Sequence, residues 1–224
     1  MRIVVLSRKG GVGKSTTAVH IGGYLAGVSE GEDDVLLVDT DPSRNALRWA
    51  KRGRLPFRVM GEDEVDADPS MAREARHLIV DMRGSPSAEE IEDAMRLAEV
   101  MVIPIMPSGL ALDTLLQTRR DLRRLGREDR YRVLLTAVPP WPYRRGPQAR
   151  AQLEDLGIPL FGDDVRRLEA FEVAADEGVL VRDLSDRRAQ RGWEDYARVG
   201  EELVEWVRAL RTPDLRAARS GRRA

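Results

Sequence analysis

The sequence predicts an α/β fold, a doubly wound and mostly parallel sheet with helices on both faces. Two observations lead to this prediction. Short apolar runs rich in β-branched residues alternate with helical patterns along the 224 residues, and this alternation implies right-handed crossovers between parallel strands. A glycine-rich loop also lies between the first apolar run and the first helical pattern, where ligand-binding turns occur in this architecture.

The strand candidates are apolar, mostly too short for helices, and bounded by turn residues. In chain order they are Ile3–Leu6, Val35–Val38, Leu78–Val80, Val100–Ile105 and Tyr131–Val138. Runs of this composition are typical of strands that are covered on both faces. We therefore expect them to form the buried sheet.

Helical periodicity fills the intervals between these runs. The predicted helices are Lys14–Leu25, Arg44–Lys51, Ser87–Ala98, Ala111–Leu125 and Gly146–Leu156. A last long helix, about Arg191–Leu210, spaces its apolar residues three or four apart, so we expect one face to dock against the sheet. We expect one domain over 1–211, followed by a flexible basic tail over 212–224.

Composition excludes several kinds of site. The chain has no cysteine and two histidines, which rules out disulfides, iron–sulfur clusters and thiolate zinc sites and disfavours a histidine-rich metal centre. Apolar runs are too short for a membrane span or a signal peptide, so the expected location is the cytoplasm. The net charge is −1, yet residues 208–224 carry six arginines against one aspartate.

The strongest motif runs from Lys9 to Thr16 and reads KGGVGKST. Three glycines in this loop permit a backbone whose N–H groups converge on phosphate oxygens, and the following helix adds its positive dipole end. Lys14 is placed to reach the β- and γ-phosphates, and the Ser15 hydroxyl to bind Mg²⁺. The strict phosphate-loop pattern has glycine at position 8, where this chain has Arg8.

Lysine usage supports this interpretation. Of 37 basic residues only Lys9, Lys14 and Lys51 are lysines, and the first two flank the glycines of the loop.

Acidic residues follow two of the predicted strands. Asp81 ends one run and is the natural partner of Mg²⁺ or its waters. Asp39 and Asp41 follow another run and are placed to reach the same rim. The alternative for each is a strand-end or helix-capping carboxylate with no ligand.

At these residues the sequence resembles the ParA/MinD group of deviant Walker A ATPases, and within it the short ParA-type partition ATPases without an N-terminal DNA-binding domain. The motifs that carry the resemblance are KGGVGKST from Lys9, VDTDP from Val38, Val80-Asp81 and IPIMPS from Ile103, with a weaker match from Arg167 to Gly178. This chain has Met82-Arg83-Gly84 where relatives more often have a proline-containing stretch.

The resemblance implies an ATPase with ATP and Mg²⁺ as cofactors. It implies that Lys9 crosses to the nucleotide of a second subunit in an ATP-bound homodimer, and that Lys14 and Asp41 are the other catalytic residues, with Asp41 positioning the attacking water. Ser15, Asp39 and Asp81 are the implied metal site. The implied nucleotide contacts are Gly10, Gly11, Val12, Gly13, Lys14, Ser15, Thr16 and Pro107.

The resemblance further implies that the ATP-bound dimer binds DNA without sequence preference, associates with the nucleoid, and is released when a ParB-like or other adaptor protein stimulates hydrolysis. Arginines are the expected phosphate contacts, although a solvated surface is an equal alternative for any one cluster. The candidates are Arg119, Arg120, Arg123, Arg124, Arg127, Arg144, Arg145, Arg150, Arg208, Arg211, Arg216, Arg219, Arg222 and Arg223.

Two other functions share the nucleotide residues. A MinD-type membrane-positioning ATPase needs a C-terminal amphipathic anchor, and after Leu210 the sequence offers only Leu215 and several alanines, so we expect no membrane anchor. An ATP-dependent small-molecule ligase would need a substrate pocket beside the ATP site.

Overall fold

A six-stranded parallel sheet forms the centre of the computed structural model, which describes residues 1–31 and 34–212. The strand order is β3-β2-β4-β1-β5-β6, and every pairing in the sheet is parallel. This confirms the predicted fold class. The strands are β1 (Arg2–Val5), β2 (Val35–Asp39), β3 (Arg58–Gly61), β4 (His77–Asp81), β5 (Val100–Ile105) and β6 (Tyr131–Leu135).

Helices connect the strands and continue beyond the last one. They are α1 (Lys14–Val28), α2 (Asn45–Arg52), α3 (Glu62–Ala67), α4 (Ser70–Glu74), α5 (Ala88–Leu97), α6 (Gly109–Arg124), α7 (Arg145–Asp155), α8 (Ala170–Glu177) and α9 (Arg187–Arg211). A 3₁₀ turn, Val181–Asp183, precedes α9.

Alternate residues of the strands face apolar cores on opposite sides of the sheet, because successive side chains of a strand point to opposite faces. Ile3 and Val5 of β1 pack with α1, α2, α8 and α9 on the first face. Val4 of the same strand packs with α5, α6 and α7 on the second face. The sheet is therefore covered on both faces, which explains its continuous apolar strands.

The predicted apolar face of the last helix is correct, but its main partner is α1 rather than the sheet itself. Close approach depends on Gly200, since a Cβ there would lie 2.3 Å from the ring of Tyr24. At its C-terminal end, Trp206 packs edge-on to Phe161 and under the guanidinium of Arg132 from β6.

Some elements differ from the prediction. The strand predicted over Tyr131–Val138 ends at Leu135, and Ala137 then adopts a left-handed φ of 48° that cannot continue a strand. Four elements were not predicted from the sequence: β3, an edge strand with only two large apolar residues, and the short helices α3, α4 and α8.

Apart from Thr212, the predicted tail over 212–224 lies outside the described residues. Within 1–31 and 34–212, no helix combines the length and apolar character needed to span a bilayer.

Candidate active site

The glycine loop lies at the carboxyl end of β1 and leads directly into α1. Gly11 and Gly13 have left-handed φ values of 72° and 84°, which residues with a Cβ rarely adopt. A Cβ added at Gly10, Gly11 or Gly13 would meet nothing within 4 Å, so the loop opens onto free space. A phosphate group can therefore approach the backbone N–H groups closely, as the sequence predicted.

Buried polar side chains hold the loop and the start of α1 from behind. The Thr136 hydroxyl, just past β6, donates to the carbonyl of Val12 at 2.8 Å. The His20 ring makes two hydrogen bonds. Its Nδ1 lies 2.7 Å from the carbonyl oxygen of Thr16, and its Nε2 accepts the N–H of Val181 at 3.2 Å. Complete burial lowers the pKa of His20 to about 4, so the ring is neutral, with its proton on Nδ1.

Arg8, where the strict pattern has glycine, ties the loop to two other segments. Its guanidinium pairs with Asp121 of α6 at 2.6 Å and donates to the carbonyl of Pro86 at 3.2 Å. The Ser85 hydroxyl donates to the carbonyl of Arg8 at 2.7 Å. In the sequence Arg8 is only a departure from the motif, and this anchoring role is not predictable there because it depends on residues more than 70 positions away.

A cavity of about 350 Å³ lies in front of the loop. Its walls come from the loop, from the segment after β2, and from α2 and α8. Lys14 is buried within this crevice, with 8% of its surface exposed. The lining residues are Gly11, Gly13, Lys14, Ser15, Thr16, Asp41, Asn45, Arg48, Trp49, Arg52 and Ala175.

Asp81 is the clearest candidate metal ligand. The residue is fully buried, and neither carboxylate oxygen has a hydrogen-bond partner among the described residues. Burial raises the pKa of Asp81 to about 7, while the nearby Ser15 hydroxyl and the Lys14 charge oppose this rise. Buried carboxylate oxygens without donors are costly unless a cation or proton satisfies them, so Asp81 and Ser15 fit Mg²⁺.

The described residues contain no group of three or more histidine, cysteine, aspartate or glutamate side chains that could hold a metal by themselves. Mg²⁺ is usually bound through one or two protein oxygens together with waters and substrate phosphates.

Asp39 holds the backbone of the neighbouring segment. One oxygen accepts the N–H of Asp41 at 3.0 Å, and the other accepts the N–H of Leu47 in the first turn of α2 at 3.1 Å. Burial raises the pKa of Asp39, and these hydrogen bonds oppose the rise. Asp39 therefore positions Asp41 and α2, whereas its role in the metal shell stays a prediction.

Asp41 lies in the crevice with its orientation set from two sides. It accepts the N–H and hydroxyl of Ser43 at 2.9 and 2.6 Å, and the N–H of Gly84 at 2.9 Å. Burial alone raises the pKa of Asp41, but these hydrogen bonds and the charge of Lys14 bring it below its usual value. An ionised carboxylate beside Lys14 is thus presented to the crevice.

Lys9 and Pro107 lie outside this crevice. The Lys9 ammonium donates to the Ser108 hydroxyl at 3.2 Å on a partly exposed rim. Pro107 lines a separate cavity of about 400 Å³ between the start of α6 and α7. Its predicted nucleotide contact stays a prediction.

The structure divides the candidate DNA-contacting arginines into two groups. Arg119, Arg123, Arg150 and Arg211 are engaged within the chain by carbonyls or carboxylates. Among the described residues, the remaining candidates have no acidic partner: Arg120, Arg124, Arg127, Arg144, Arg145 and Arg208. Arg216, Arg219, Arg222 and Arg223 lie outside the described residues.

Comparisons with known proteins agree with this geometry. Residues 3–181 match the model of the CobQ/CobB/MinD/ParA nucleotide binding domain. The chain is 34% identical over 209 residues to maintenance of carboxysome distribution protein A from Gloeobacter kilaueensis, covering 90% of this chain and 93% of that protein. It is 30% identical to the chromosome-partitioning ATPase Soj from Thermus thermophilus, covering 92% and 96% of the two chains.

The fold is also similar to a solved structure, the septum site-determining protein MinD from Pyrococcus horikoshii complexed with Mg-ADP. The TM-score is 0.67 at 18% identity, over 90% of this chain and 94% of that one. Because the family model covers most of the sequence, the similarity extends well beyond the glycine loop. The chain therefore belongs to the CobQ/CobB/MinD/ParA nucleotide-binding family, which confirms the ParA/MinD resemblance and, at the level of that family, the predicted ATPase class with ATP and Mg²⁺ as cofactors.

Proposed function

We propose that this chain is a ParA-like positioning ATPase. It dimerises on ATP, binds DNA without sequence preference, and moves a large cargo as a partner protein stimulates hydrolysis. The observation that carries this proposal is the pair of lysines on one loop, with Lys14 buried in the crevice and Lys9 on the rim outside it. One cation serves the nucleotide of its own chain, and the other is free to serve the nucleotide of a second chain.

Within one chain, the crevice supplies binding and positioning. The glycine loop N–H groups, the dipole of α1 and Lys14 bind the phosphates. Mg²⁺ neutralises phosphate charge when it is bound, and Ser15 and Asp81 are the residues that would hold it. Asp41 is ionised and fixed by Ser43 and Gly84, so it can orient the attacking water by accepting a hydrogen bond.

Dimerisation is supported by what surrounds Lys9. The cavity beyond Ser108 is lined by Arg145 and Gln148, and Gln148 also lines the next cavity, beside Trp141 and Tyr143. These aromatic side chains are 90% and 63% exposed. Large exposed aromatic groups often mark protein interfaces. A second copy that accepts Lys9 would cover this rim.

A cation supplied by a second subunit links hydrolysis to assembly, because transition-state charge is neutralised only in the dimer. The same dimer doubles the number of exposed arginines available to DNA phosphates. Nonspecific affinity for DNA rises with each phosphate that is neutralised. If ATP binding forms the dimer, dimer formation alone is enough to raise the affinity for DNA. The exposed arginines of α6 and of the loop before α7 are the described candidates.

The relatives named for carboxysome distribution and for chromosome partitioning favour a cargo-positioning role. We propose a ParB-like or other adaptor protein as the stimulating partner. The ATP-bound form would then lie on the nucleoid, and the ADP-bound form would be released from it.

The test is binding to random-sequence duplex DNA at fixed salt with ATP, ADP or no nucleotide, with acidic liposomes measured in parallel. The proposal predicts DNA binding that requires ATP and no liposome binding. Liposome binding without DNA binding would assign the chain to the membrane-positioning class. Nucleotide binding with neither response would favour a small-molecule substrate.

A further inference from the structure

A second cleft of about 430 Å³ lies on the second face of the sheet, between α5 and the α3–α4 segment. Its floor is apolar and is formed by Val4, Val38, Leu78 and Val80. Leu97, at the end of α5, stands at one mouth of the cleft with 70% of its surface exposed. Val4 and Val38 are buried beneath the cleft, whereas Leu78 and Val80 are only partly buried and present apolar surface to it.

The cleft runs from the amino edge of the sheet to the carboxyl edge. Leu97 and Leu78 mark the amino-edge mouth, while Thr40 and Met82, which follow β2 and β4, line the other end. Thr40 is next to Asp41, and Met82 begins the segment that donates the Gly84 N–H to Asp41. The cleft thus passes directly beneath the segments that orient Asp41.

The rim of the cleft is acidic. Four carboxylates line it, namely Glu62, Asp66, Glu90 and Asp93, against the single cation Arg83. Arg83 is already paired with Glu90 at 3.4 Å, and Arg96, which does not line the cleft, lies 4.0 Å from Asp93. An apolar floor inside an acidic rim fits a segment that carries apolar and basic residues together.

Such a segment begins at the amino-edge mouth. At the end of α9, Arg211 makes two hydrogen bonds to Glu99, at 2.7 and 2.8 Å. Glu99 is only two residues beyond Leu97. The described chain therefore ends beside the cleft, and the sequence that follows, 213–224, comprises Leu215, four arginines and one aspartate among twelve residues.

The length of this segment is sufficient. Twelve extended residues span up to about 40 Å, whereas the five residues of β4 beneath the cleft rise about 17 Å. The net charge of the segment is positive, and that of the rim is negative.

We propose that residues 213–224 bind in this cleft of their own chain, with Leu215 on the apolar floor and the arginines on the acidic rim. A bound tail would touch the end of β2, which leads to Asp41, and the end of β4, which carries Asp81, so it would connect the C-terminal segment to the active site. This inference does not depend on DNA binding or on dimerisation.

The absence of cysteine allows a direct test by disulfide trapping. Ala218→Cys in the tail is paired with Ala94→Cys in the cleft wall or, as a control, with Glu201→Cys on the exposed side of α9. Ala94 lines the cleft, and Glu201 lies ten residues before Arg211 on the same helix, so both positions are within reach of the tail. Intramolecular disulfide formation under mild oxidation is followed by mass spectrometry and non-reducing gels.

Docking predicts that the cleft pair closes at least about tenfold faster than the control pair, because binding raises the effective concentration of the two thiols. High salt, or Asp66→Lys with Asp93→Lys, should abolish the difference, whereas Asp155→Lys on α7 should preserve it. Equal rates for the two pairs would overturn the proposal. A disulfide that forms only between two molecules would also overturn it, since the occupant would then be the tail of a second copy.

Discussion

The two halves of the site are built differently. In the crevice, Lys14 and Asp81 are buried, and Asp41 is fixed by hydrogen bonds from its own chain. On the rim, the Lys9 side chain has one described hydrogen bond, to the hydroxyl of Ser108, beside the exposed aromatic loop at Trp141. The contrast shows that one chain preorganises the crevice around Lys14, whereas the role proposed for Lys9 requires a second molecule.

Asp41→Asn should produce the largest effect in the crevice. The substitution removes the ionised carboxylate that we propose orients the attacking water, so partner-stimulated turnover should fall by about 10³-fold. ATP-dependent assembly should persist, since phosphate binding by the loop is unchanged. Phosphate release, measured beside sedimentation with ATP, checks both statements. Normal turnover in this variant would show that the water is held elsewhere.

Lys14→Ala should weaken ATP affinity by about 10²-fold, because the side chain contributes a buried cation to phosphate binding. Lys51→Ala is the matched control, since Lys51 is exposed on α2. Titration with a fluorescent ATP analogue gives both dissociation constants. Equal losses in the two variants would contradict the assignment of Lys14 to the crevice.

The buried histidine behind the loop should make stability depend on pH. The pKa of His20 is lowered to about 4 by burial, so the unfolded chain takes up this proton first as pH falls below about 6.5. The contribution of neutral His20 to the free energy of unfolding is complete above pH 6.5. About 2–3 kcal/mol of this free energy should be lost as pH falls to about 4. Urea unfolding of the wild type and of His20→Asn at several pH values measures how the free energy of unfolding depends on pH. The difference between the two proteins is due to His20, because His77 is present in both. If the free energies of unfolding of the two proteins changed in parallel with pH, the role assigned to His20 would be contradicted.

A smaller effect is expected at the exposed pair of Glu99 and Arg211. The hydrogen bonds from Arg211 lower the pKa of Glu99 to about 2. The stabilisation should therefore be complete above about pH 4.5 and disappear as pH falls towards 2, and solvent screening limits it to about 1 kcal/mol. Glu99→Gln should reduce the free energy of unfolding at pH 7 by this amount and remove the acid-dependent part. An unchanged free energy at pH 7 would show that the pair contributes nothing.

Much of the crevice was predictable because its residues follow local rules. Gly11 and Gly13 occupy a strand–loop–helix context, and Asp39 and Asp81 end apolar strands. The anchors behind the loop were not predictable from local patterns, since Thr136 and Arg8 act through residues far along the chain. Thr136 obeys the same strand-end rule as Asp81, but the predicted strand ran three residues too far and concealed it.

The elements missed by the sequence analysis have a common cause. The edge strand β3 is only four residues long and has few apolar residues, and α8 is only eight residues long. Short elements of this kind are stabilised by packing on neighbours rather than by their own periodicity. Ala175 of α8 nevertheless lines the nucleotide crevice.

The contrast between the two lysines is tested most directly by the mass of the protein in solution with Mg-ATP, measured by light scattering for the wild type and for Lys9→Ala. Nucleotide binding is measured on the same samples. We predict a wild-type dimer with ATP and a monomer with ADP, and a Lys9→Ala protein that binds ATP but stays monomeric. A Lys9→Ala dimer that forms as readily as the wild type would contradict the account.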